Sequence, residues 1–202
     1  MQYKFIPEEM TYDGSQLCSL YAYLNQGVLG DSVLAWVGKC DISVDKIVDA
    51  EDLLAGHKIY SEKMLHFIVE VFDIPLFSMA CLQRLMGDLA RDLIYQKTGQ
   101  FLVRKGDDLY LMQTESKGAH HPAFEPVKDK DKKLNISIAT KSPTSALMHF
   151  GVNVSTKNTP VKTCGLESWG IDPRNLADEL AAAFIQEILG LRRATQKVRW
   201  VK

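Results

Sequence analysis

Between residues 132 and 155, in KKLNISIATKSPTSALMHFGVNVS, apolar and small polar positions alternate almost without a break. Successive side chains of a strand point to opposite faces, so the pattern predicts two neighbouring strands. In the first, Leu134, Ile136 and Ile138 share one face, while Asn135, Ser137 and Ala139 share the other. In the second, Met148, Phe150, Val152 and Val154 form an apolar face, and Leu147, His149, Gly151 and Asn153 a mixed one with room at Gly151. One core face and one face of short polar groups suit the wall of a ligand cleft; a half-exposed sheet gives the same alternation.

The rest of the chain alternates strands and helices. YKFI and SVLAWVGKCDI have strand patterns, and KMLHFIVEVF is assigned to a strand because Leu65, Phe67, Val69 and Val71 alternate before Asp73 and Pro75. SQLCSLYAYLNQG predicts a short helix closed by Gly27, and VDAEDLLAG one or two further turns. From Pro75 to Gly99 the stripe Leu82, Leu85, Met86, Leu89 and Leu93 predicts a long helix. FLVRKGDDLYLM reads as two strands turning at Gly106-Asp107, and residues 113–131 as a flexible insertion. Asp172 caps a last helix, with Pro173 at its first position. Helices interleaved with hairpin-connected strands imply an α+β fold, a mixed and mostly antiparallel sheet backed by helices, in one domain spanning 1–202.

Charge and composition narrow the field. The 202 residues are 46% hydrophobic and 24% charged, and 24 Lys plus Arg face 25 Asp plus Glu. So balanced a chain argues against a nucleic-acid surface. After Glu187 only cations follow, in LRRATQKVRWVK, which suits either a phosphate partner or the dipole at the end of a helix. MQYKFIPEEM lacks the apolar segment of a signal peptide, and no run is long enough to span a membrane, so the expected setting is cytoplasmic with no membrane partner. Cys18, Cys40, Cys81 and Cys164 lie far apart without metal-ligand spacing, so reduced thiols and no metal are expected. His120 and His121 are adjacent and would point apart, and Trp36 and Trp169 read as core or loop anchors.

Two resemblances add to this reading. GVLGDSVLAWVGKCDI, YSEKMLHFIVE, KLNISIATKSP and HFGVNV resemble, over nearly the whole length, the archaeal and bacterial family called domain of unknown function 366. Over residues 77–195, the order of elements and the letters Asp107-Asp108-Leu109, Lys133, Ser137, His149, Gly151 and Asn153-Val154 resemble the lipoate and biotin ligase superfamily, which includes octanoyltransferases. That resemblance implies a fold like the class II tRNA synthetase core and an acyl- or adenylate-handling transferase or ligase acting on a small-molecule or acyl ligand. It leaves the cofactor unknown and a homodimer open. The alternative is a non-catalytic ligand-binding or protein-interaction module on the same scaffold.

By the same resemblance, Lys133 and Cys164 are the candidate catalytic residues. The lysine would stabilise developing negative charge, and Cys164, in a Cys-Gly pair, would carry the acyl group as a thioester. Read from residue chemistry alone, Lys133 can equally end the solvated KDKDKK run, and Cys164 can be an inert loop thiol. Asp107, Asp108, Ser137, His149, Gly151 and Asn153 are the candidate ligand-binding residues. For the two aspartates turn formation is the competing role, and for His149 a hydrogen-bonded, buried imidazole. The family's Arg-Arg and triple-glycine loop has no counterpart in HKIYSEKMLHF, where Lys63 and His66 stand in its place as ligand contacts.

Overall fold

The computed structural model describes residues 1–112, 128 and 130–201. The expected insertion at 113–131, with His120 and His121, falls almost wholly outside the described residues. In chain order the elements are β1 (Gln2–Phe5), α1 (Tyr21–Gln26), β2 (Ser32–Ile42), α2 (Ala50–Ala55), β3 (Ile59–Phe72) and α3 (Leu76–Thr98). They continue with β4 (Leu102–Lys105), β5 (Asp108–Leu111), β6 (Lys132–Lys133), β7 (Asn135–Lys141), β8 (Ser145–Asn153) and α4 (Pro173–Gln196). A five-stranded sheet runs β1-β2-β3-β8-β7, and a three-stranded one β4-β5-β6. Among the described residues only the β1–β2 strand pair is parallel, so the fold is α+β with a mostly antiparallel sheet, as the pattern implies.

β3 is buried along almost all of its length because both faces of the large sheet are covered. On one face Leu65, Phe67, Phe150 and Val152 pack with Met86, Ala90, Leu180 and Phe184 of α3 and α4. Pro75 stands at the N-cap of α3 and Gly99 closes it at φ 70°, a left-handed position glycine adopts without steric cost. Asp172 caps α4 by accepting from the Asn175 N–H at 3.1 Å. The buried line of α3 is Met79, Leu82, Met86, Ala90 and Ile94, while Leu85, Leu89 and Leu93 are only partly buried. The expected stripe is thus rotated toward the sheet.

On the opposite face Leu34, Trp36, Met64 and Ile68 pack with Tyr12 and Ala22. Here α1 is shorter than its pattern predicts and begins only at Tyr21. Leu20 is held at φ 63° because its N–H is taken by the buried Glu70 carboxylate, which ends the preceding turns.

The first strand of the alternating stretch departs from expectation. Leu134 does enter the helix-side core, and Val152 and Phe150 pack there too. Ile136 and Ile138, however, sit opposite Gly151 and His149 in the β7–β8 ladder and share their face. The cause is a change of sheet at Leu134, whose N–H bonds Leu109 O on the small sheet while its carbonyl accepts from Asn153 on the large one. The break reverses the faces of β7, so Ser137 turns toward α3 and accepts a 2.9 Å hydrogen bond from Gln83 Nε2.

Candidate functional site

A cleft of about 870 Å³ opens between the β7–β8 side of the large sheet, the small sheet, the segment around α2, and residues 159–163. Lys133 and His149 both border it, joined by Asp107, Asp108, Ser137 and Asn153. Six of the expected site residues are therefore brought together, although they come from four different strands and the turn before β5.

One wall is ionic. Lys133 Nζ lies 2.7 Å from Asp108 Oδ2, and only about a quarter of each side chain is exposed. Burial raises the Asp108 carboxyl above the ordinary carboxylate range, and the Lys133 ammonium opposes that rise. Asp107 Oδ2 accepts 2.9 Å hydrogen bonds from Gln83 Nε2 and Ser137 Oγ. Asn135 ties this wall to the sheet: its Oδ1 accepts from Leu109 N–H at 2.6 Å, and its Nδ2 donates to Asp107 O at 3.0 Å. Asn153 is buried and its Nδ2 reaches the Lys133 carbonyl at 3.5 Å, so it supports the lysine's backbone from below.

The floor is apolar and aromatic, with Met64, Ile136, Tyr12 and His149. Tyr12 and His149 stack with ring centroids 3.7 Å apart and planes 10° from parallel. Behind His149, His66 is fully buried; its Nδ1 lies 3.0 Å from His149 Nε2, and its Nε2 lies 3.2 Å from Gly38 O. Trp36 stacks against His66 at 5.1 Å. Burial holds His66 far below the ordinary imidazole value, at about 3, and pushes His149 down as well. Both rings are neutral at pH 7.

Other expected residues sit elsewhere or act differently. Lys63 is outside the cleft and faces Glu167 at 3.6 Å on the surface. His66 lies beneath the floor, where it reaches the cleft only through His149. The space at Gly151 is filled: a Cβ there would stand 2.4 Å from Met64 Sδ and 3.1 Å from His149 Cε1. Cys164 lies next to Lys133 in backbone pairing, its N–H bonding the Lys133 carbonyl, but its thiol turns into the core and meets Lys132 O at 3.5 Å. Only 4% exposed, with burial pushing it up to about 12, this thiol stays protonated at neutral pH, an environment opposed to a nucleophile. In this irregular segment Thr163, which bridges Lys133, lines the cleft, whereas the next residue, Cys164, points into the core.

Tyr12, Asn135, Lys46 and Tyr60 were not singled out from the sequence, and all four line the cleft. Asn135 alone left a signal, as one of the small polar groups on the mixed face of the first alternating strand. Trp36 and Trp169 pack in or against the core, as anchors. Among the described residues no three His, Cys, Asp or Glu side chains stand close enough to hold a metal ion. No helix among them is long and apolar enough to cross a membrane.

The family described as "Domain of unknown function (DUF366)" matches residues 1–117 and 127–199. The chain belongs to this family. A relative, an uncharacterized protein of Methanocaldococcus jannaschii, is 30% identical over 200 residues, covering 96% of this chain and 82% of the relative. A solved structure of a protein of unknown function from Pyrococcus horikoshi is 34% identical, covers both chains fully and superimposes with a TM-score of 0.83. The DUF366 fold is also similar to that of the biotin protein ligase from Aquifex aeolicus, solved in complex with biotin and ATP. The TM-score there is 0.57 at 14% identity, over 90% of this chain and 68% of the ligase. That likeness is one of fold.

Proposed function

We propose that this cleft binds a small carboxylic or acyl ligand and that the protein is an acyl- or adenylate-handling transferase or ligase, with Lys133 as its electrostatic centre. The observation that carries this reading is the partly buried Lys133 ammonium on the wall of a cleft whose floor is apolar. An apolar body can lie over Ile136 and Met64 while its carboxyl group meets Lys133, exchanging with or bridging beside Asp108. A partly buried charge stabilises an anion more strongly than one in bulk solvent. The ligase-like fold supports the same class of ligand, and the whole chain acts as one ligase-like domain in a cytoplasmic setting. The buried Cys164 steers the reading away from a thioester route and toward adenylate or direct transfer.

A second reading, a binding module without catalysis, is favoured by one feature. Asp108 already neutralises Lys133, and the α2–β3 connection offers only Gly56 for close backbone approach to a phosphate. Calorimetry with straight-chain carboxylates, alone and with ATP, separates the two readings when paired with a pyrophosphate-exchange assay. Carboxylate binding that weakens about ten-fold or more in Lys133→Met, with exchange, supports the enzyme. Binding without exchange or transfer supports the module. Carboxylate binding indifferent to Lys133→Met refutes both.

A further inference from the structure

The hydrogen-bond chain under the floor fixes which atom of His149 meets a ligand. A backbone carbonyl only accepts, so the His66 nitrogen facing Gly38 O, Nε2, carries the proton. In a neutral ring Nδ1 is then a bare acceptor, and the His149 Nε2 facing it at 3.0 Å must donate. That leaves the lone pair of His149 on Nδ1. Nδ1 has no partner among the described residues, and no buried side-chain nitrogen or oxygen among them lacks a partner, so Nδ1 reaches the cleft surface. The ring cannot readily turn away, being stacked on Tyr12 and backed by Gly151, where any side chain would press on Cε1.

We propose that His149 is a tautomer-locked hydrogen-bond acceptor at the floor of the cleft, and that the ligand's deep end carries an N–H or O–H donor. Ile138 pairs opposite His149, and Ile136 and Met64 line the same cleft. A ligand that covers this nitrogen without donating to it leaves a desolvated acceptor unpaired, and such sites discriminate strongly against analogues lacking the donor. A negative deep end is rejected by the lone pair. The inference rests on the proposed reading for the other end of the ligand, the carboxyl or acyl group at Lys133, and specifies what that reading leaves open.

Calorimetry on the intact chain compares straight-chain alkanoates of six to ten carbons with the same acids bearing a terminal hydroxyl. At the chain length that spans the cleft, the hydroxy acid is expected to bind about ten-fold tighter. The ratio should fall to about one in His149→Phe, which keeps a ring against Tyr12 but has no acceptor. A ratio near one at every length in the unaltered protein overturns the inference. If neither series binds, the carboxylate reading fails instead, and long-range proton–nitrogen spectra of the imidazoles decide on His149 alone. A protonated Nε2 and a bare Nδ1 whose resonance moves with propionamide but not with 2-butanone support the inference. A protonated Nδ1, or an equal response to both probes, sinks it.

Discussion

Acid should expose the buried histidine pair before it touches the carboxylates. His66 is 0% and His149 2% exposed, and burial keeps both neutral in the folded protein, His66 down to about 3. In the unfolded chain each takes up its proton near the ordinary imidazole value of about 6.5. A base whose folded-state value is depressed gives stability that is complete above the unfolded value and is lost as the pH falls toward the folded one. For His66, with values of about 6.5 unfolded and about 3 folded, linkage gives a loss of about 2 kcal/mol between pH 7 and pH 5. His149 moves the same way. The lowered carboxyls act later: Asp13, held at about 2 by Lys46 and Ser15, and Asp178 lose their contribution only as the pH falls through about 4 and below. Asp108, raised by burial, works in the opposite sense and offsets part of the loss. Urea unfolding at half-unit pH steps measures the slope, and His66→Gln isolates the histidine, since its amide can still donate to Gly38 O. The variant's stability should fall between pH 7 and pH 5 by about 2 kcal/mol less than the unaltered chain's. Equal slopes, or a flat curve in the unaltered protein, would refute the argument that these rings are neutral and unhydrated.

Two glycines give a matched pair of opposite sign. At Gly38 a Cβ would lie 2.0 Å from Met10 O, a backbone atom that also holds Trp36 Nε1 at 2.8 Å; Gly38→Ala should cost about 3 kcal/mol in chemical denaturation and disturb the His66 contact. At Gly190, exposed in α4 with nothing within 4 Å of a Cβ, Gly190→Ala should stabilise by about 0.5–1 kcal/mol, and a loss there would contradict the helix assignment. Thiol labelling at pH 8 should reach the exposed Cys81 and Cys18 first and Cys40 and Cys164 only on unfolding; rapid labelling of Cys164 would restore it as a nucleophile.

Elements with a complete local cause were legible along the chain. Pro75 and Gly99 bracket α3 because one suits a helix start and the other a left-handed exit, and Asp172 with Pro173 opens α4 for similarly local reasons. β3 was legible because alternation and β-branched residues outweigh a length that also permits helix. The β7–β8 wall was half legible: the faces of β8 follow from alternation, whereas those of β7 depend on a change of sheet at Leu134 that no local pattern records.

The site divides along the same line. Residue types and spacing were enough to bring Lys133, His149, Asp107, Asp108, Ser137 and Asn153 to one cleft, because strand order and pleat carry them there. Whether each group faces ligand, core or neighbour was settled by contacts between residues far apart in sequence. Cys164 is turned inward in an irregular segment, Lys63 is drawn to Glu167, and His66 is placed under His149 by pairing 83 positions away. The sequence alone determined which elements form and what chemistry is available. Tertiary structure alone decided protonation and direction, since desolvation and hydrogen-bond partners exist only once distant strands have met.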